Sequence, residues 1–401
     1  MPYNALIVAC TSLPSRADQR TRLGVPPRRT DGDVRTVRLE AVPAQAARAL
    51  HALMRSTGGW AQVTPDGRAG RVVLLQGDGA QFHSLLRRAG TRHVTFEAAA
   101  EIREVLMSAS TRPRALALAR GRLALGQRTL VMGVLNVTPD SFSDGGRFLD
   151  PRAAVERAHA MAREGADLID VGGESTRPGA RPVPLAEELR RLMPVVEALA
   201  GAFRDMRDSR PLLSVDTRKA EVARRAAAAG ADLINDVSGL TRDPAMAAEV
   251  ADSGLPIVIQ HIRGTPETMQ RSPRYDHLLP EIAAFLRARI DQAVRAGVRE
   301  DKIIVDPGIG FGKRRRDNLA ILRHLRVLTS LGRPILVGAS RKSFLEGQGD
   351  LPPAERLEAS LAAEALAIAE GADIIRVHDV REGVRVAALC DAVLRDPVAS
   401  R

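Results

Sequence analysis

Cysteine, lysine and aromatic residues are scarce in this chain of 401 residues, and each shortage removes one class of interpretation. The two cysteines, Cys10 and Cys390, are far apart in sequence, which predicts neither a disulfide framework nor a cysteine-ligated metal cluster. Aromatic residues make up 3% of the chain and offer few surfaces on which nucleic-acid bases could stack. Lysine has been replaced by arginine almost everywhere, so the remaining lysines are candidates for roles that need a compact ammonium group. Lys313 and Lys342 are favoured, because both lie beside loops rich in glycine or serine.

Long apolar runs are also absent, and no segment of the sequence is long enough to span a bilayer. The first residues lack the basic region of a secretory signal, and the apolar run 5–10 is too short to serve as one. Apolar residues at 45% and charged residues at 27% are typical of a soluble globular protein. The sequence therefore predicts a cytoplasmic protein without a membrane partner.

Acidic residues are clearly outnumbered only in the first third of the chain. Residues 1–126 contain 19 arginines and 9 acidic residues, whereas residues 127–401 contain 40 basic and 39 acidic residues. The arginines are scattered rather than grouped in one helix. We therefore interpret the net charge of +11 as general basicity and do not expect a nucleic-acid partner.

Three regions follow from the distribution of apolar residues. Residues 1–33 are predicted to be a flexible leader, because most of them are rich in arginine, proline, threonine and serine without periodicity. Residues 34–126 alternate strand and helix patterns, which predicts a small α/β extension followed by a linker, without a catalytic constellation. Residues 127–401 repeat the order apolar strand, polar loop and amphipathic helix eight times. This eightfold repeat predicts a (β/α)8 TIM barrel, with an open doubly wound sheet as the alternative.

Polar residues follow the predicted barrel strands at the point where each strand ends, and in a parallel barrel these ends meet at one mouth. Groups that suit a planar heterocycle with ring N–H and amino groups are found at Asp216, Asn235, Asp306 and Lys342. Groups that suit an oxyanion with a hard divalent cation are found at Asn136, Arg376 and His378. The division predicts a heterocycle joined to a phosphorylated leaving group.

Seven segments carry a resemblance to a known family. They are, in chain order, 136–146 (NVTPDSFSDGG), 172–179 (GGESTRPG), 214–217 (SVDT), 234–238 (INDVS), 306–311 (DPGIGF), 340–343 (SRKS) and 376–378 (RVH). Together they closely resemble the dihydropteroate synthases, from about residue 128 to residue 394. Members of this family are pterin-binding barrels that join 6-hydroxymethyl-7,8-dihydropterin pyrophosphate to 4-aminobenzoate. The products are 7,8-dihydropteroate and pyrophosphate, in the synthesis of folate.

The resemblance implies a role for each matching residue. The implied pterin contacts are Asp216, Asn235, Asp306 and Lys342. The implied pyrophosphate and Mg²⁺ contacts are Asn136, which would be the metal ligand, Arg376 and His378. The implied surroundings of aminobenzoate, where sulfonamides compete in this family, are Phe142, Thr176, Arg177, Pro178, Phe311 and Ser343. The residues expected to act in the reaction are Asn136, Asp144, Lys342, Arg376 and His378, and the family also implies a homodimer.

Two departures from the family pattern lie beside the expected pocket. Gln260 stands where relatives usually carry an apolar residue, and the arginines at 314–316 stand where a smaller polar residue is commoner. Two other interpretations remain open. One is a related pterin-binding methyltransferase, which would not need the loops 138–143 and 175–178. The other is a paralogue that binds pterin without turnover, for which loss of Arg177, Arg376 or His378 would be the sign, and none is missing.

Overall fold

The computed structural model describes residues 5–11, 34–65, 70–110, 115–118, 121–137, 150–205, 210–346 and 351–395. The chain divides into two compact units. The first contains residues 1–112 together with 326–332, and the second contains residues 113–325 together with 333–401. The described part of the chain contains no helix that is long and apolar enough to cross a membrane.

The first unit is a four-stranded antiparallel sheet with helices packed on it. Its strands are β1 (Leu6–Thr11), β2 (Val34–Val42), β3 (Trp60–Pro65) and β4 (Arg71–Gly77), in the spatial order β1-β2-β4-β3. Its helices are α1 (Ala44–Ser56), α2 (Gly79–Ala89) and α3 (Phe96–Ser110). Helix α2 begins at a capping box, in which Asp78 and Gln81 each accept a backbone N–H of the other. Fully buried Leu39, Leu50 and Leu75 join the sheet to the helices in one core.

Strand β1 lies within the segment 1–33 that the sequence predicts to be a flexible leader. It pairs antiparallel with β2, and its buried Leu6 and Ile7 explain why: a short run of residues that favour strands can add to a sheet edge and bury its apolar side chains. The rest of that segment, residues 12–33, lies outside the described residues.

The second unit contains an eight-stranded parallel barrel. A separate antiparallel pair, β5 (Ala115–Leu118) and β6 (Gly121–Ala124), precedes it. The barrel strands are β7 (Leu130–Asn136), β8 (Leu168–Gly172), β9 (Leu212–Asp216), β10 (Leu233–Asp236), β11 (Ile257–Gln260), β12 (Ile303–Asp306), β13 (Leu336–Val337) and β14 (Ile374–Val377). The strands from β7 to β12 are neighbours in sequence order, and β14 lies between β7 and β13. A parallel bridge between Val305 and Ile335 joins the remaining two edges. The barrel predicted from the sequence is confirmed, because closure excludes the open doubly wound sheet.

Helices follow the barrel strands and cover the outside of the barrel. They are α4 (Pro151–Glu164), α5 (Leu185–Asp205), α6 (Ala220–Ala229), α7 (Met246–Ser253), α8 (Leu278–Arg295), α9 (Arg315–Arg323), α10 (Leu357–Ala369) and α11 (Val380–Arg395). Helix α4 has the termini that its sequence predicts. Asp150 caps its first turn, Pro151 takes the first helical position, and Gly165 ends it with a φ of 102°.

The amino-terminal end of the barrel is closed by the antiparallel pair β5 and β6. Leu116 of β5 and Leu125, just after β6, are buried in a cluster with the first residues of the barrel strands, such as Leu130 and Leu168. The segment was expected to be part of a linker. Its closure of one end leaves the carboxyl ends of the strands as the open mouth of the barrel.

Candidate active site

A cavity of about 810 Å³ opens at the carboxyl ends of the barrel strands. Of the fourteen residues to which the family resemblance assigns a role, twelve line it: Asn136, Thr176, Arg177, Pro178, Asp216, Asn235, Asp306, Phe311, Lys342, Ser343, Arg376 and His378. The other two, Phe142 and Asp144, lie outside the described residues. The strand ends therefore bring together residues that are up to 242 positions apart, from Asn136 to His378.

A buried carboxylate in the wall of the barrel holds several of these residues in place. Asp170, in the middle of β8, has no exposed surface and accepts hydrogen bonds from Ser214 Oγ (2.5 Å), Asn235 Nδ2 (2.9 Å) and Arg376 Nε (2.7 Å). Asp170 is not among the site residues predicted from the sequence. The sequence feature that could have identified it is a single charged residue inside an otherwise apolar strand, because a buried charge needs partners.

Arg376 is shared between two carboxylates. Its Nε donates to Asp170, and a terminal nitrogen donates to Asp216 Oδ2 at 3.0 Å. Burial, with the Asp170 charge nearby, raises the pKa of Asp216 to about 8, although Arg376 opposes the shift. A carboxyl group that changes its protonation state near neutral pH, at the bottom of a cleft, is typical of a functional site.

Asp306 and Lys342 form the second charged group of the cavity. Asp306 accepts the backbone N–H of Gly308 at 2.6 Å, and the Lys342 ammonium donates to the carbonyl oxygen of Ile309 at 2.5 Å. The ammonium also lies 4.8 Å from the centre of the Phe311 ring. Burial lowers the pKa of Lys342 to about 8, while Asp306 opposes the shift; burial likewise raises the pKa of Asp306. An acceptor and a donor of this kind suit the edge of a planar heterocycle.

The second lysine selected from the sequence is in the cavity wall. Lys313 Nζ lies 2.8 Å from Nδ1 of His261 and donates to the Phe311 carbonyl oxygen at 3.0 Å. Both side chains are buried, and burial lowers the pKa of each well below its usual value. The pair fixes the loop after β12, which carries Phe311.

His378 is neutral at physiological pH. Burial, with the positive charges of Arg376 and Arg341, lowers its pKa to about 3. Its Nδ1 lies 3.2 Å from Ser340 Oγ. The imidazole therefore offers hydrogen bonds to the cavity rather than a positive charge.

Comparison with known proteins identifies what this cavity belongs to. The family described as pterin binding enzyme matches residues 132–378. A dihydropteroate synthase of Synechocystis is 48% identical over 271 residues, which cover 67% of this chain and 92% of that protein. The Yersinia pestis dihydropteroate synthase, solved with a sulfonamide drug complex, superposes with a TM-score of 0.66 at 45% identity, over 70% of this chain and 98% of that one. The chain belongs to the dihydropteroate synthase family.

A third relative, also a dihydropteroate synthase, was solved with a small-molecule ligand. The Xanthomonas albilineans dihydropteroate synthase, solved with 4-aminobenzoic acid, superposes with a TM-score of 0.64 at 45% identity, over 72% of this chain and all (100%) of that one. Identity at this level to synthases favours them over the methyltransferase alternative. These three relatives leave roughly a third of the chain unmatched.

The two departures from the family pattern lie where the sequence analysis expected them. Gln260 ends β11, is buried against the cavity, and donates from Nε2 to the Val237 carbonyl oxygen at 3.2 Å. Arg314 and Arg315 line the cavity at the start of α9. Asp317, in the first turn of that helix, accepts the backbone N–H of Arg314 at 2.9 Å and forms a 2.8 Å ion pair with its side chain. Arg314 and Arg315 add positive charge beside the mouth of the barrel, and the hydrogen bonds given above for Asp170 go to Ser214, Asn235 and Arg376 instead.

Proposed function

We propose that this chain condenses 6-hydroxymethyl-7,8-dihydropterin pyrophosphate with 4-aminobenzoate, releasing 7,8-dihydropteroate and pyrophosphate. One observation carries the proposal: a single cavity combines buried carboxylate, amide and ammonium groups with an arginine and a neutral histidine. The first set suits the heterocycle and the second suits its phosphorylated leaving group. Membership of the dihydropteroate synthase family indicates that the heterocycle is a pterin.

The pterin is bound by Asp216, Asn235, Asp306 and Lys342. The carboxylates accept from the ring N–H and amino groups, and the ammonium and amide donate to the carbonyl oxygen or a ring nitrogen. Support comes from the burial of Asp216, Asn235 and Asp306 in the strand ends, because a buried acceptor left unpaired is costly and a substrate lacking the matching donors is rejected.

The pyrophosphate is bound by Arg376, His378 and Asn136. Arg376 is already oriented by Asp170 and Asp216, so binding requires little reorganisation of the guanidinium. Mg²⁺ suits the same end of the cavity, since Asn136 at the end of β7 supplies an oxygen donor and this ion commonly takes its other ligands from phosphates and water. When bound, the ion would neutralise charge on the pyrophosphate oxygens. The described residues contain no group of three or more His, Cys, Asp or Glu that could hold a metal.

Aminobenzoate is bound by Phe142, Thr176, Arg177, Pro178, Phe311 and Ser343. Phe311 offers a ring face, and Arg177 offers a cation for the carboxylate. The bond between the exocyclic CH₂ of the pterin and the pyrophosphate oxygen breaks, and its electron pair leaves with pyrophosphate. The amine nitrogen then bonds to that carbon and loses a proton to the departing pyrophosphate. Asp144, or another carboxylate of its loop, supports the positive charge on the carbon, and closure of the loops that follow β7 and β8 excludes water that would capture it.

Pyrophosphate release by the full-length protein tests the proposal. With dihydropterin pyrophosphate and Mg²⁺, we expect release that depends on 4-aminobenzoate and yields dihydropteroate. Binding of pterin without release would contradict the proposal and identify a paralogue that has lost turnover. Oxygen-isotope scrambling in the pyrophosphate bridge without aminobenzoate tests the dissociative step separately, and its absence would argue for direct displacement.

We further infer a homodimer in the cytoplasm, with an extension, residues 1–126, that serves regulation or interaction rather than chemistry. The dimer is supported by exposed apolar side chains on neighbouring helices: Leu366 of α10 is 57% exposed, and Leu389 and Val393 of α11 are 68% and 75% exposed. The role of the extension is supported by the family match, which begins after it and covers residues 132–378.

A further inference from the structure

A buried charge cluster lies at the base of the loop that joins β8 to α5. Glu174 of this loop accepts from Arg218 at 2.6 Å and from Lys219 Nζ at 2.9 Å. Lys219 also donates to Glu188, in the first turn of α5. The side chain of Glu188 has no exposed surface and that of Glu174 is 4% exposed. Two carboxylates and two cations balance each other, as burial of charge requires.

The same carboxylate ties the two ends of the loop together. Oε1 of Glu174 accepts the backbone N–H of Val183 at 2.9 Å, so the ten residues 174–183 form a closed loop. Thr176, Arg177 and Pro178 lie between these two ends. At the tip, the Gly179 N–H donates to the Pro266 carbonyl oxygen at 2.9 Å.

Lys219 then connects this closed loop to the barrel. It lies just before α6 and holds Glu174 and Glu188 at once, while Thr217 Oγ1 donates to Glu188 at 2.7 Å. Burial favours a raised pKa for Glu174, yet the hydrogen bonds from Val183 and Lys219 and the charge of Arg218 hold its pKa below the usual value. Glu174 therefore stays ionised and paired at neutral pH, and the base of the loop depends on charge.

We propose that Glu174, Lys219 and Glu188 are positioning residues that fix the loop carrying Thr176, Arg177 and Pro178 and thereby set the affinity for the aminobenzoate substrate. The inference rests on the proposed function, because it takes this loop as one wall of the aminobenzoate site. Glu174 lines the cavity at the base of this loop, and the pterin contacts lie at the ends of β9, β10 and β12 and after β13. Because Glu188 and Arg218 also shift the pKa of Asp216 by their charge, the test varies Glu174 and Lys219 instead.

Steady-state kinetics with each substrate varied separates this role from a merely structural one. For Glu174→Gln and Lys219→Met in the full-length protein, we expect the KM for 4-aminobenzoate to rise about tenfold and the KM for dihydropterin pyrophosphate to change less than about twofold. Lys219→Arg, which keeps a cation between the two carboxylates, should recover most of the wild-type KM. Hydrogen exchange of the backbone at 175–183 should be faster in Glu174→Gln than in wild type.

Arg210→Met is the matched control. Arg210 forms an ion pair with Asp232 (2.8 Å) at the other end of the barrel, and its side chain is 20% exposed, as is that of Lys219. This variant should lower Tm without changing the ratio of the two KM values. Equal changes in both KM values, or unchanged exchange at 175–183, would overturn the proposal. If wild type makes no dihydropteroate, the proposed function fails, and the exchange measurement still decides whether the cluster holds the loop.

Discussion

Asp170 is the residue on which the arrangement of the cavity depends most. Its carboxylate holds Ser214, Asn235 and Arg376, and all three bonds would weaken or break in Asp170→Asn. Arg376 would then lose one of its two anchors. We expect kcat/KM to fall about 100-fold, since a small displacement of a positioned group is costly, and the free energy of unfolding to fall by about 3 kcal/mol, as for other broken buried ion pairs.

The control for this variant is Asp301→Asn. Asp301 forms a surface pair with Arg299, and their side chains are 41% and 68% exposed. Exposed pairs of this kind contribute about 0–1 kcal/mol, so activity and denaturant midpoint should stay near wild type. An Asp170→Asn protein with wild-type kcat/KM would show that Arg376 does not need this anchor.

Glu364 gives a prediction about pH. It is 3% exposed in α10, its Oε2 has no hydrogen-bond partner among the described residues, and burial, with Asp379 nearby, raises its pKa to about 8. Because the unfolded chain ionises near the ordinary value of 4.5, Glu364 supports the fold fully below about pH 4.5 and loses that support as pH rises to about 8. The loss is on the order of 4 kcal/mol.

Glu364→Gln is neutral at every pH and should remove this loss. We expect the difference in Tm between the variant and wild type to increase from pH 5 to pH 8 and then level off. Glu358→Gln changes an exposed carboxylate of the same helix and should show no such trend. A difference that is constant with pH for Glu364→Gln would mean that its carboxyl group is ionised in the folded protein.

At the scale of single residues, the sequence was a good guide to groups at strand ends and a poor one to groups inside elements. Asp216, Asp306 and Arg376 could be selected because parallel strands end at a common edge. Asp170 and Glu364 are buried by packing between elements that are distant in sequence. The cluster around Glu174 was missed for the same reason, since its partners lie on other loops and helices.

Among the loops, the one after β12 depends most on a single glycine. Gly308 has a φ of +65°, and a Cβ at this position would lie 1.9 Å from the carbonyl oxygen of His261. Its N–H also donates to Asp306. Gly308→Ala should therefore lower the free energy of unfolding by about 3 kcal/mol or more, from the left-handed backbone and the clash together, and raise the KM for the pterin substrate.

Two glycines provide controls for urea denaturation of Gly308→Ala. Gly179 has a φ of +80°, and a Cβ added there would meet no described atom within 4 Å, so Gly179→Ala should show only the backbone cost of about 1–2 kcal/mol. Gly201 lies inside α5 with open space around it, and Gly201→Ala should stabilise the protein by about 0.5–1 kcal/mol. Equal effects of Gly308→Ala and Gly179→Ala would mean that the loop moves away from His261.

At the scale of elements, periodicity predicted the eight strand and helix units of the barrel because each repeats a long pattern. Periodicity did not predict three features of the elements. Strand β1 and the pair β5–β6 are short apolar segments whose partners are supplied by the tertiary fold. Helix α10 has apolar residues around most of its circumference, with one glutamate exposed and one buried, so its pattern does not indicate which face is buried.

The exposed apolar side of α10 and α11 leads to a prediction about the whole molecule. Exposed apolar side chains on neighbouring helices indicate an interaction surface, and Leu366, Leu389 and Val393 are residues that a partner would cover here. We expect light scattering to give the mass of two chains, with 43.1 kDa each. Leu389→Glu, which places a charge in the covered face, should give a monomer with an unchanged circular dichroism spectrum.

Val294→Glu separates the loss of a specific interface from the general effect of a surface charge. Val294 lies in α8 and is 36% exposed, so it is an apolar surface residue on a different helix. The variant should remain a dimer. If wild type is a monomer at every concentration tested, or if both variants dissociate equally, the face formed by α10 and α11 is not the interface. Dissociation of Leu389→Glu alone would assign that face to the second copy of the chain, because burial of unpaired charge opposes association only where the side chain is covered.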